Sequence, residues 1–128
     1  MGNIHSKILV GLILENMKEC VENDNFIILG RDINKNFISE YKLTEAMQRE
    51  ILLKLEIEDY SESEPSSKFP GSYVNLFGKN IELINSHGSI EAISMYIKFE
   101  IIEKQYGTRT VFISFHKEDY PLSFPFRI

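Results

Sequence analysis

Cys20 is the only thiol in 128 residues, so no internal disulfide framework exists, and the sparing use of cysteine fits a reducing cytoplasm. Basic excess is missing as well. Fourteen Lys and Arg stand against 19 Asp and Glu, for a net charge of -5. Broad, unspecific binding of nucleic acid needs the opposite sign. A small local basic cleft stays open, and so does an inhibitor of a basic partner. No apolar run is long enough to cross a bilayer, because Glu15, Lys18 and Glu19 end the stretch from Lys7 to Leu14 before any cleavage-site pattern appears. The three histidines, His5, His87 and His116, have no partners at metal-ligand spacing. Gly-rich phosphate loops, nucleophile elbows and zinc-protease motifs are also lacking. No metal or cofactor is therefore expected, and an enzyme of this sequence would work without metal. Repeats and low-complexity tracts are absent, and one domain over residues 1–128 is expected.

What is present begins with Met1-Gly2-Asn3-Ile4-His5-Ser6, which fits the N-myristoylation pattern, although a chance match in a bacterial chain is the simpler reading. Residues Ile4 to Glu22 have helical spacing, with Ile8, Leu12, Met17 and Val21 as the apolar stripe, broadened by Ile4, Ile13 and Leu14. Asn3 or Ser6 caps its start, and Cys20 lies in the apolar repeat as a buried thiol. Phe26 to Gly30 reads as a short strand buried on both sides, and Arg31 to Asn36 as a polar loop. A second helix is expected from Thr44 to Glu56, capped by Thr44, with Met47, Ile51, Leu52 and Leu55 inward. Ser61 to Gly71 is rich in Ser, Glu and Pro and reads as a long loop.

The last third carries the clearest pattern. Strand character starts at Tyr73, and Asn85 to Gly88 makes a turn. From Ser94 to Ile102 the apolar residues Met95, Ile97, Phe99 and Ile101 alternate with polar ones, as on a half-buried strand. A helix from Ser89 to Glu103 competes, since Ile90, Ile93, Ile97 and Ile101 also have helical spacing; β-branched and aromatic content favours the strand. Thr110 to His116 alternates again, with Val111, Ile113 and Phe115 inward and Ser114 and His116 outward. A turn centred on Gly107 places Lys98 opposite His116 on one polar face. The C-terminal segment, with Pro121 and Pro125, is expected to lie extended across the domain, its aromatics covering core. The fold class is α+β, with two N-terminal helices packed on an antiparallel sheet.

Phe77-Gly78-Lys79, Tyr96-Ile97-Lys98-Phe99, the run Ile113 to Pro121, Phe124-Pro125-Phe126-Arg127 and the pair Asp59-Tyr60 carry a resemblance. In order and spacing, from about Leu43 to Arg127, they are similar to toxins of bacterial toxin–antitoxin systems, of the motility quorum-sensing regulator family within the RelE-like ribonuclease fold. The resemblance implies a RelE-like sheet, an endoribonuclease (mRNA interferase), RNA or ribosome-bound mRNA as substrate, and a cognate antitoxin as partner. The segment from Asn80 to Met95 is longer than the turn such toxins have there, and the chain is acidic where they are basic.

On the polar face the chemistry would be attack of the RNA's own 2'-hydroxyl on the neighbouring phosphate, leaving 2',3'-cyclic phosphate ends. His116 suits proton transfer. Lys98, with Lys79 and Arg127, would hold the phosphate, and Tyr96 or Tyr60 would orient it or stack on a base. The competing reading is a solvated strand face with ordinary polar residues. For the whole chain, the acidic residues, including Glu56, Glu58, Asp59, Glu62 and Glu64, leave open a non-enzymatic immunity or antitoxin-like protein that occludes a basic toxin.

Overall fold

The computed structural model describes residues 2–128; Met1, on which the acylation pattern starts, lies outside them. Three α-helices and a five-stranded mixed sheet make an α+β fold. Helix α1 spans Lys7–Glu22, and Ser6 begins it by accepting a hydrogen bond on Oγ from Leu9 N at 3.2 Å. Asn3 instead bridges Ser63 in extended backbone, so the helix starts three residues later than its apolar residues imply. Val10, Leu14, Met17 and Val21 set the buried phase, while Ile8 and Leu12 face outward at 80% and 53% exposure. Apolar residues occupy nearly every side of the first two turns, so spacing alone does not single out the buried face there.

Strand β1 (Phe26–Ile28) follows, and its middle residue, Ile27, is exposed. It is the sheet's edge and runs parallel to the last strand, which corrects both the doubly buried strand and the purely antiparallel sheet. The expected polar loop is a third helix, α2, over Asp32–Glu40. Its polar composition hid it, since only Asn34 and Phe37 are fully buried, with Ile38 packed beside them at the edge of the core. Helix α3 covers Glu45–Leu53, with Thr44 Oγ1 accepting from Met47 N at 3.2 Å; Met47 itself is largely exposed. A 3-10 turn at Ile57–Asp59 leads into β2 (Tyr60–Pro65), so half of the supposed long loop is strand.

Strands β3 (Tyr73–Ile84), β4 (Ile90–Lys104) and β5 (Gly107–Lys117) complete an order of β1-β5-β4-β3-β2. The β4–β5 hairpin closes on Lys104 opposite Gly107, so its turn is Gln105-Tyr106 and lies before Gly107 rather than centred on it. A bulge then shifts the register, so that Lys98 faces Ser114 and Phe99 faces Phe112. This bulge decides the faces of β5. Phe112 and Phe115 are both fully buried, though residues three apart in a regular strand point to opposite faces. Ile113 is the extra residue, and Val111 and Ile113, expected inward, are only half-buried.

Asn34 stabilises the bulge. Its Nδ2 donates to Leu29 O at 2.9 Å and Ile113 O at 3.0 Å, and its Oδ1 accepts from Phe115 N at 2.9 Å. Helix α2 is thereby stitched to backbone groups that the disrupted ladder would strand. The helix-side core continues through Phe77 stacked on Phe99 at 5.4 Å, with Met95, Ile97, Leu52 and Leu55 around them. Burying each such side chain contributes roughly 1.5–3 kcal/mol. No helix of the described residues is long and apolar enough to cross a membrane.

Candidate functional site

The sheet face away from the helices is organised in cross-strand rows. Gly78, Tyr96 and His116 form one row; Glu62, Leu76, Lys98 and Ser114 form the next; Glu64, Val74, Glu100 and Val111 form a third. Residues on one face of neighbouring strands lie about 5 Å apart, so each row is a line of contacts. The C-terminal segment crosses this face over Gly78. A β-carbon there would meet Leu122 Cδ1 at 2.7 Å and Phe124 Cζ at 2.9 Å, so the absent side chain makes room for the tail. Farther along, Phe126 stacks on Tyr60 at 5.8 Å, and Arg127 Nη2 donates to Asp59 Oδ1 at 3.1 Å. The expected extended tail with core-covering aromatics matches this course.

His116, Lys98 and Tyr96 do share a face, but Lys98 and His116 are not opposite each other: Tyr96 faces His116. The turn's earlier position causes the shift, and the bulge recovers one residue of it. The two rings stack at 5.3 Å and 11°. His116 is buried rather than solvated, and its Nδ1 lies 2.7 Å from Lys117 O. A carbonyl only accepts, so Nδ1 carries the proton and Nε2, in the neutral ring, keeps the lone pair. Among the described residues Nε2 has no partner. Burial, and then the nearby Tyr120 hydroxyl, raise the Tyr96 pKa above the ordinary phenol value, so Tyr96 stays a neutral donor. Lys98 is half-buried and makes no ion pair among the described residues.

The other three expected site residues lie elsewhere. Tyr60 is fully buried, its hydroxyl accepting from His5 N at 3.1 Å and lying 2.7 Å from Ser63 Oγ. Lys79, in register with core-facing Met95, donates to Asp59 Oδ2 at 3.1 Å. Arg127 pairs with the other oxygen of Asp59 and also donates to Glu58 O at 3.0 Å. Asp59 thus binds Lys79 and Arg127, two of the three cations expected to hold phosphate. It also accepts from Glu56 N at 2.8 Å, which fixes the 3-10 turn. This anchor was missed because its partners are 20 and 68 residues away in sequence.

Charge on the polar face is mostly negative. Lys98 has Glu62 in its own row and Glu64 and Glu100 in the adjoining one. Glu100 is buried, and its sealed Oε2 has no partner among the described residues. A cleft of about 320 Å³ opens between β2 and the tail, lined by Ser61, Glu62, Tyr120, Leu122 and Phe124 among others. Glu62 has neither an ion pair nor a hydrogen-bond partner among the described residues, and Tyr120 is 53% exposed beside it. Among those residues no three His, Cys, Asp or Glu side chains are grouped to hold a metal ion. Comparison with family models, curated proteins and solved structures finds no match to this chain.

Proposed function

We propose that the chain is a binding protein that occludes a basic protein partner, in the manner of an immunity or antitoxin-like protein. The observation that supports this most is Glu62 in the tail cleft, unpaired among the described residues, with Tyr120 at its rim. A partner's Lys or Arg entering that cleft would meet a carboxylate and an aromatic face together, the pairing that anchors many interfaces. Glu64 and the -5 net charge add attraction at longer range.

A ribonuclease of RelE-like fold is the second reading, favoured by the free Nε2 of His116 and the unpaired Lys98 on the same face. Against it stand the three carboxylates around Lys98 and the engagement of Lys79 and Arg127 with Asp59.

One experiment separates the two. The chain is titrated calorimetrically with each purified basic protein encoded next to its gene, and incubated separately with RNA and ribosomes. One-to-one binding that falls with salt and is abolished by E62K/E64K supports occlusion. RNA cleavage leaving 2',3'-cyclic phosphate ends, present in wild type and lost in H116A, would replace it with the ribonuclease.

A further inference from the structure

On the helix side, apart from the Glu62 cleft, a cavity of about 720 Å³ lies between the first half of α1, the loop after β2 and the inner face of the sheet. Leu9 and Ile13 of α1, Phe69 of the loop and Ile101 of β4 give it apolar walls. Two asparagines line it, Asn16 exposed on α1 and Asn75 buried. Asn75 is only 4% exposed and lines the cavity from β3.

The direction of its hydrogen bonds is set by a relay. His5 N can only donate, so Tyr60 Oη accepts from it at 3.1 Å. At the other end Asn75 Oδ1 can only accept, so it takes the Ser63 proton at 2.7 Å, and Ser63 Oγ, with no proton left, accepts from the Tyr60 hydroxyl at 2.7 Å, nearer than Asn3 O at 3.3 Å. Asn75 Nδ2 is left with two N–H donors, no protein partner among the described residues, and access to the cavity. A nearly buried donor over an apolar hollow is costly unless something accepts from it. Small-molecule sites of roughly 300–1,000 Å³ are built this way, with apolar walls and a few placed polar groups.

The lining also limits the charge of the occupant. It contains no Lys or Arg, and Glu103 is its only carboxylate. Of basic groups an anionic head would meet only the His5 ring, which packs edge-on against Tyr73, and it would meet one like charge; an ammonium would face the donors of Asn75. We propose that this cavity binds a small uncharged amphipathic molecule, its apolar body between α1 and the loop and a carbonyl oxygen accepting from Asn75 Nδ2.

The test uses the full chain, isotopically labelled, with 2-nonanone as probe and nonanoate at neutral pH as its charged counterpart, followed by amide chemical shifts. The ketone should give saturable shifts centred on Leu9, Asn75 and Ile101. N75D keeps the acceptor for Ser63 but removes both donors, and should weaken ketone binding about tenfold, the size of a lost hydrogen bond with repulsion added. L9W, at a helix position 41% exposed, fills the cavity without entering the core and should abolish binding. Absence of saturable shifts in folded wild type would overturn the proposal. So would ketone binding by folded L9W equal to wild type, undiminished binding by N75D, or nonanoate binding more tightly than the ketone.

Discussion

At Asn34 a single polar side chain does what a strand ladder would otherwise do. The bulge in β5 frees Ile113 O and Phe115 N from regular pairing, and one amide serves both while also reaching Leu29 O. Arg31 Nη1 gives Ile113 O a second donor at 2.9 Å, so that carbonyl has a reserve. N34L should therefore strand Leu29 O and Phe115 N at least, and cost about 3 kcal/mol at roughly 1–3 kcal/mol per unsatisfied buried group. F99A removes a fully buried ring that stacks on Phe77 and should cost about 3–5 kcal/mol. K98A removes a half-buried chain with no ion pair and should stay within about 0.5 kcal/mol. Urea unfolding of the three variants, with unchanged m-values, gives the comparison. If N34L proved as mild as K98A, the bulge would be holding itself closed without the amide.

The elements differ in how far their own sequence announces them. β3, β4 and β5 were legible because alternation and β-branched content are local, and the caps of α1 and α3 because Ser6 and Thr44 accept hydrogen bonds from residues only three ahead. Helix α2 was illegible, since its buried residues are one asparagine and one phenylalanine, and the asparagine's partners lie on β5 and at Leu29. The site followed the same division. That Tyr96, Lys98 and His116 share a face could be read from period-two spacing, whereas their row partners depend on a tight turn and a bulge that composition does not encode. The capture of Lys79 and Arg127 by Asp59 is a tertiary fact with no local signal. The tail shows what such long-range fitting asks of one residue. In G78A the new methyl would press on Leu122 and Phe124, side chains able to move, and on Met95 O at 3.2 Å, which is backbone. The tail should yield before the sheet does. Limited proteolysis after Tyr120 should accelerate several-fold while the melting temperature falls by only a few degrees, in line with a local rather than global opening. Equal proteolysis of G78A and wild type would mean that the tail does not depend on contact at this row.

For the molecule as a whole, the joint between its helical layer and its sheet includes an ionisable cluster. Tyr41, at the C-terminal end of α2, donates from its hydroxyl to Glu91 Oε2 of β4 at 2.9 Å. Lys117 of β5 reaches the same oxygen at 3.3 Å and Glu40 Oε2 at 3.6 Å, with its ammonium 4.9 Å from the centre of the Tyr41 ring. The Tyr41 hydroxyl first, and then Lys117 and Asn85 against the opposing effect of burial, hold the Glu91 carboxyl below its ordinary value of 4.5. The same contacts, Tyr41 foremost, raise Lys117 above its ordinary 10.5. A carboxyl with a lowered folded pKa contributes stability that is complete above the unfolded value and lost as pH falls through the folded one. A lysine with a raised pKa contributes stability that is complete below its ordinary value and lost only in strong alkali. The acid limb therefore belongs to Glu91, and Lys117 leaves the neutral range unaffected. In E91Q the amide keeps a hydrogen-bond acceptor for Tyr41 but has no charge to lose. Wild type should melt higher than E91Q at about pH 6, hold that margin up to about pH 9, and see it close as pH falls below the ordinary carboxyl value of 4.5. Adding salt should shrink the margin at neutral pH, since Glu91 and Lys117 are partly open to solvent. Melting curves of the two proteins across that range test the assignment. A margin that persisted undiminished at about pH 3 would show that Glu91 acts through its shape and hydrogen bonds rather than through its charge.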